Sequence, residues 1–149
     1  MELIIFIGIQ ATGKSEFYKR NFYKTHIRLN LDMLRTRNRE KILMEACLYA
    51  KQPLVIDNTN PTRKERRKYI AAAKKAKFTI KGYYFNSSIA DSILRNEQRT
   101  GLEQLPVLAL KATHKKLELP LIEEGFDELW YVKIGKNGDF ITEEYQHEI

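Results

Sequence analysis

An apolar run near the N-terminus, Leu3–Ile7, breaks directly into Gly8-Ile9-Gln10-Ala11-Thr12-Gly13-Lys14-Ser15, and no other feature restricts the possible folds as tightly. The glycines let the backbone wrap closely, successive amides point inward where a helix begins, and a lysine brings a compact positive charge to the same spot. Strand, glycine loop and helix in that order form a cradle for anionic oxygens, and the run satisfies G-x-x-x-x-G-K-[ST] in full. The pattern assigns nucleotide phosphates to Gly8, Gln10, Ala11, Thr12, Gly13, Lys14, Ser15 and the adjoining Glu16. Lys14 belongs near the β- and γ-phosphates, and the Ser15 hydroxyl helps hold Mg²⁺. The competing reading is a glycine turn followed by an exposed lysine.

The rest of the chain alternates short apolar runs with longer helix-prone stretches. The runs are Ile27–Leu29, Leu54–Ile56, Phe78–Phe85 and Leu129–Ile134. Helices are expected over Lys14–Tyr23, Met33–Lys51, Thr62–Lys75, Ile89–Arg99 and Val107–Leu117. Such alternation predicts an α/β fold with a parallel five-stranded sheet and helices on both faces, a three-layer sandwich. Asn60 before Pro61 reads as a helix cap, as do Asp32 and Asn86/Ser87. After Ile134 the glycines at 135 and 138 predict a turn and a peripheral tail over about 135–149, with a last strand at Asp139–Thr142 left open.

At 149 residues the chain fits one domain, 1–149. The single cysteine, Cys47, excludes an intramolecular disulfide and cannot build a zinc site alone. No apolar run approaches the roughly 20 residues that cross a bilayer, so no membrane partner is expected, and a cytoplasmic location follows from the absence of any other address. A net charge of +7 favours an anionic partner without naming it. His114, Trp130 and the scattered tyrosines read as packing.

Phosphoryl transfer to a hydroxyl needs a carboxylate for the hydroxyl proton and cations around the moving group. In an open α/β sheet these belong just beyond the C-terminal ends of the strands. Asp32 follows the second apolar run with Arg35 three residues on, as a base beside an anion-binding arginine or as a helix cap beside a solvated one. Asp57 closes Leu54–Ile56 in the strand-end position of a carboxylate that acts on Mg²⁺ directly or through water. Asn58, Thr59 and Asn60 add neutral hydrogen-bonding groups or plain turn chemistry. Arg95 and Arg99 share a helix face before a Thr-Gly break, suited to a lid over phosphates or to a solvated basic face. The run Arg63–Lys68, with Lys74, Lys75 and Lys77, offers either contacts to a phosphate backbone or a solvated helix.

Taken in order, the glycine loop, Leu29-Asn30-Leu31-Asp32-Met33-Leu34-Arg35, Ile56-Asp57-Asn58-Thr59-Asn60-Pro61, Arg95–Arg99, and the stretches from Leu105 and up to Leu129 resemble the kinase domain of polynucleotide 5′-hydroxyl kinases. The likeness runs from about Ile4 to Ile134 and embraces both the phage type and the animal end-repair type. It implies a P-loop NTPase fold, adenylate-kinase-like with a lid segment, and ATP and Mg²⁺ as cofactors. By position it implies that Lys14 and Ser15 hold donor phosphates and metal and that Asp32 is the general base. It places Arg35 on the phosphate beside the acceptor nucleoside, has Asp57 support the acceptor site with Thr59 at its rim, and puts Arg99, with Arg95, on the donor phosphates. Glu16 and Leu31 depart from the family, which often has threonine or serine and then arginine at those positions.

The expected activity is therefore ATP-dependent phosphorylation of the 5′-hydroxyl of DNA or RNA, with any repair ligase or phosphatase a separate partner. A kinase of a small hydroxyl compound, nucleoside or nucleotide is the alternative enzyme. An ATP-binding switch or RNA-binding adaptor is the alternative outside catalysis.

Overall fold

The computed structural model describes residues 1–86, 88–101, 104–135 and 137–146. Its strands are β1 (Glu2–Ile7), β2 (Ile27–Leu29), β3 (Leu54–Ile56), β4 (Thr79–Phe85), β5 (Glu128–Ile134) and β6 (Phe140–Glu144). The helices are α1 (Lys14–Asn21), α2 (Leu31–Leu34), α3 (Arg37–Ala50), α4 (Arg63–Lys75), α5 (Ile89–Glu97) and α6 (Val107–Lys116), and a 3-10 turn spans Ile122–Glu124. The strands form one sheet in the order β2-β3-β1-β4-β5-β6. The first five are parallel as the sequence implies; β6 is a sixth, antiparallel to β5, which makes the sheet mixed. This last strand occupies the segment where the sequence left a strand open.

Central β1 shows why alternation sorts a buried strand. Leu3, Ile5 and Ile7 enter the cluster containing Met44, Leu48, Tyr69, Ile70 and Ala73 of α3 and α4, whereas Ile4 and Phe6 enter the cluster with Phe17, Tyr18 and Phe22. Both faces are thus covered, and truncating Phe6 alone would cost about 3–5 kcal/mol by leaving a cavity. At Gly82 of β4 a Cβ would lie 2.7 Å from Leu129 and 2.8 Å from Phe126, so this strand position takes no larger residue.

The helix boundaries differ from expectation at a left-handed residue and where polar side chains take other partners. The stretch expected as one helix over Met33–Lys51 is two helices, because Arg35 adopts φ 74 and ends α2. Asn30, not Asp32, caps α2 by accepting a hydrogen bond from the Met33 amide at 3.1 Å. Asn60 does not cap α4; Thr62 does, accepting from the Glu65 amide at 3.1 Å. Asn60 is instead buried with φ 44, and its amide donates to the Phe6 carbonyl at 2.8 Å, tying β1 to the loop after β3. Ser88 caps α5, while Ser87 lies outside the described residues.

One cation of the basic run on α4, Arg66, is absorbed by the fold, while Lys64, Arg67, Lys68, Lys74 and Lys75 stay exposed. Arg66 is 0% exposed and grips Glu124 with two nitrogens, Nε to Oε1 at 2.9 Å and Nη2 to Oε2 at 3.0 Å. Arg63 pairs with Glu118 and Lys68 with Glu40. Cys47 is a core residue whose thiol burial pushes its pKa up. Among the described residues no helix is long and apolar enough to cross a membrane.

Candidate active site

The loop from Gly8 to Ser15 sits at the C-terminal end of β1, next to the ends of β2 and β3. Its conformation depends on residues able to turn left-handed: Ala11 has φ 62 and Gly13 φ 89. Gly13 has a second reason to be glycine, since a Cβ there would meet the Phe140 ring at 3.0 Å. The Gly8 amide donates to the Thr59 carbonyl at 3.0 Å, which fastens the loop to the segment after β3. The buried Thr12 hydroxyl donates to the Ile9 carbonyl at 2.9 Å.

Lys14 reaches over this loop, its Nζ donating to the carbonyls of Gly8 at 2.9 Å and Ile9 at 2.6 Å. Burial pulls its pKa down to about 8; Asp57 and Asp32 act against that shift and Arg99 adds to it. The charges that bear on this ammonium thus include the two carboxylates and the arginine singled out in the sequence. Asp57 also meets the loop directly, its Oδ2 accepting from the Ser15 hydroxyl at 3.2 Å. A carboxylate and a hydroxyl, both hard oxygen donors, suit Mg²⁺, which keeps several waters and phosphate oxygens in its shell. Among the described residues no group of three or more His, Cys, Asp or Glu forms an all-protein metal cage.

A residue that the sequence did not single out completes this corner. Arg28, in β2, donates from Nε to Asp57 Oδ2 at 2.7 Å and from Nη2 to Ser15 Oγ at 2.8 Å. The only available signal was a cation in the centre of a three-residue apolar strand, and register alone brings it beside Asp57.

Asp32 and Arg35 stand on exposed α2 and at its end. Neither side chain is engaged in a hydrogen bond or ion pair among the described residues. The backbone carrying them is held from below. Asn58 accepts from the Leu31 amide at 2.9 Å and donates to Glu40 Oε2 at 2.9 Å, and Asn30 donates to the Asp57 carbonyl at 2.6 Å. Buried Glu40 is held in turn by the Tyr69 hydroxyl at 2.8 Å and Arg37 at 3.1 Å, and burial beside that carboxylate pushes the Tyr69 pKa well up. Glu40 and Tyr69 are support that sequence reasoning missed, while Asn58 takes the hydrogen-bonding part offered for it.

On the other side, Arg95 of α5 donates to the Ala11 carbonyl at 3.3 Å, and Gln10 donates to Thr113 of α6 at 3.0 Å. Arg99 lies just past α5 within electrostatic reach of Lys14. Buried Asn96 pairs twice with Leu105, at 2.6 and 2.9 Å, closing the base of the connecting segment. Glu16 is exposed in an ion pair with Arg20, and Thr59 enters through its carbonyl.

Comparison with known proteins bears on the fold and the family. The bifunctional polynucleotide phosphatase/kinase of Schizosaccharomyces pombe is 29% identical over 132 residues, 84% of this chain, which spans about a third (32%) of that relative's length. A gluconokinase from Sinorhizobium meliloti 1021 superposes with a TM-score of 0.62 at 18% identity, covering 91% of this chain and 83% of that one. Kti12 of Chaetomium thermophilum, solved in complex with ADP-AlF3, gives 0.62 at 14% identity, covering 91% and 92%. These solved structures share the P-loop kinase fold. Residues 35–120, more than half of the chain and downstream of the glycine loop, match the model of a family described as an AAA domain, and the chain belongs to that family.

Proposed function

We propose that the protein transfers the γ-phosphoryl group of ATP to the 5′-hydroxyl of a nucleic acid. The observation that carries this reading is the hydrogen-bonded link between the phosphate loop and the helix that bears Asp32: Ser15 donates to Asp57, and Asn30, the cap of α2, donates to the Asp57 carbonyl. Asp57, bonded to Ser15, marks the donor side, while Asp32 and Arg35 stand exposed on and just past α2, neither side chain bonded to another of the described residues. The sequence likeness to a polynucleotide phosphatase/kinase supports the choice of acceptor.

In this mechanism the loop amides, Lys14 and Gly13 hold the donor phosphates, with Gln10, Ala11, Thr12 and Arg95 shaping the cradle. Ser15, with Asp57 directly or through water, would hold Mg²⁺, which would supply charge neutralisation at the phosphate oxygens. The acceptor 5′-oxygen forms its bond to the γ-phosphorus as the bond to the β-phosphate oxygen breaks, ADP leaves, and the hydroxyl proton passes to Asp32. Arg35 engages the phosphate next to the acceptor nucleoside, Asp57 and Thr59 border it, and Arg99 neutralises charge on the transferred group. Positioning and preorganised charge supply most of the rate.

Arg66 is taken up in a buried ion pair, so the acceptor's phosphate contacts in this mechanism are Arg35 and whichever exposed cations of α4 the strand reaches. The salt dependence reads the number of these contacts, roughly −0.7 in log–log slope for each phosphate touched on a single strand. The deciding experiment offers γ-labelled ATP with matched 5′-hydroxyl DNA and RNA oligomers, nucleosides and sugars. Label on the oligomer end supports the reading. Label on a free nucleoside or sugar alone replaces it with a small-molecule kinase, and ATP hydrolysis with no labelled acceptor replaces it with a switch.

A further inference from the structure

Arg28 has no place in the transfer chemistry above, yet it binds both protein groups assigned to the metal. Its Nε and Nη2 take Asp57 Oδ2 at 2.7 Å and Ser15 Oγ at 2.8 Å, and Ser15 in turn donates to the same Asp57 oxygen at 3.2 Å. This closed triangle satisfies a carboxylate whose side chain is only 2% exposed. A guanidinium and a dication cannot both contact that serine oxygen and that carboxylate oxygen, since like charges at such range repel strongly. Arg28 itself has a way out. It lies on an edge strand, its side chain is 26% exposed, and its guanidinium carbon already sits 5.9 Å from the Tyr18 ring centre, a surface on which it can rest after leaving Asp57.

We propose that Arg28 is a resident cation of the metal position: it holds Ser15 and Asp57 in place until Mg²⁺ arrives with nucleotide, and it thereby sets how much Mg²⁺ the site requires. Arg28 is a positioning residue acting through Ser15 and Asp57. The inference rests on the nucleotide and metal half of the proposed function and is independent of the acceptor.

The test is calorimetric ADP binding as Mg²⁺ is varied, for the unaltered protein, Arg28→Gln and Arg28→Lys, with thermal melts in EDTA alongside. Removing a competing cation should let Arg28→Gln saturate at about tenfold less Mg²⁺, the scale of a single displaced charge contact, while its melt in EDTA falls because Asp57 loses its partner. Arg28→Lys, which keeps the charge but loses the fork, should lie between the two. In the unaltered protein the ¹⁵Nε resonance of Arg28 should move on adding Mg²⁺ with ADP, and much less with ADP in EDTA. This readout holds even if Arg28→Gln does not fold. An unchanged or higher Mg²⁺ requirement in a folded Arg28→Gln, or an Nε resonance indifferent to Mg²⁺, overturns the proposal alone. Failure of the unaltered protein to bind ADP in either condition overturns the nucleotide reading together with it.

Discussion

Replacing Arg66 with methionine separates a structural cation from a substrate-binding one within the same basic run. The guanidinium is 0% exposed and makes hydrogen bonds to Glu124 at 2.9 and 3.0 Å, to the Asn60 carbonyl at 2.8 Å and to the Glu118 carbonyl at 3.2 Å. Methionine fills most of the volume but leaves the Glu124 carboxylate, 9% exposed, without its cation. Breaking a buried pair by removing one partner costs about 3–5 kcal/mol, a large share of the ~5–15 kcal/mol that holds a domain together. At about 2–4 °C per kcal/mol for a chain of this size, the melting temperature should fall by roughly 10 °C. Urea and thermal denaturation of Arg66→Met, Glu124→Gln and the double variant measure this. The double variant should recover part of the loss, a coupling of about 1–3 kcal/mol, because the stranded charge is gone. Oligonucleotide binding by the folded fraction should keep its salt dependence. Loss of less than about 1 kcal/mol together with weakened oligonucleotide binding would refute the reasoning and return Arg66 to the substrate.

Asp32→Asn should lower phosphoryl transfer about 10²–10⁴-fold with little change in melting temperature, because the side chain is exposed; kinetics and a melt on the same sample check both halves. Lys14, with its folded pKa brought down to about 8, holds fewer protons than the unfolded chain between that value and its ordinary 10.5. Stability should therefore rise with pH across this window, and ADP affinity should weaken as pH climbs past 8; Lys14→Met should flatten both curves. Gly13→Ala meets both a φ of 89 and the Phe140 ring 3.0 Å away, so it should destabilise the protein by about 1–3 kcal/mol and weaken nucleotide binding by calorimetry.

Much of the scaffold was legible because it is written in local pattern. The glycine loop announces itself by residue type and spacing, and the strands through Leu3–Ile7 and Leu54–Ile56 are apolar because both their faces are covered. What escaped detection depended on register. Arg28 acquires its role only because β2 lies beside β3, with Leu29 opposite Ile56, so that Asp57 follows within reach. Asn60 carries every sign of a cap, but its amide is taken by the Phe6 carbonyl and capping passes to Thr62. Arg35 breaks a helix that propensity would continue, and the buried Glu40 on α3 reads in sequence as one more surface acid. Apart from the backbone break at Arg35, each miss is a polar side chain recruited across the fold, a relation invisible to spacing along the chain.

The hydrogen bond from the Gly8 amide to the Thr59 carbonyl would couple the two substrates of the proposed reaction. Thr59 follows Asn58, and Asn58 carries the start of the helix that bears Asp32. In the proposed reaction, filling the phosphate loop should therefore stiffen the backbone that carries Asp32. Linkage makes that benefit mutual: whatever factor the first guest adds to the second one's affinity, the second returns to the first.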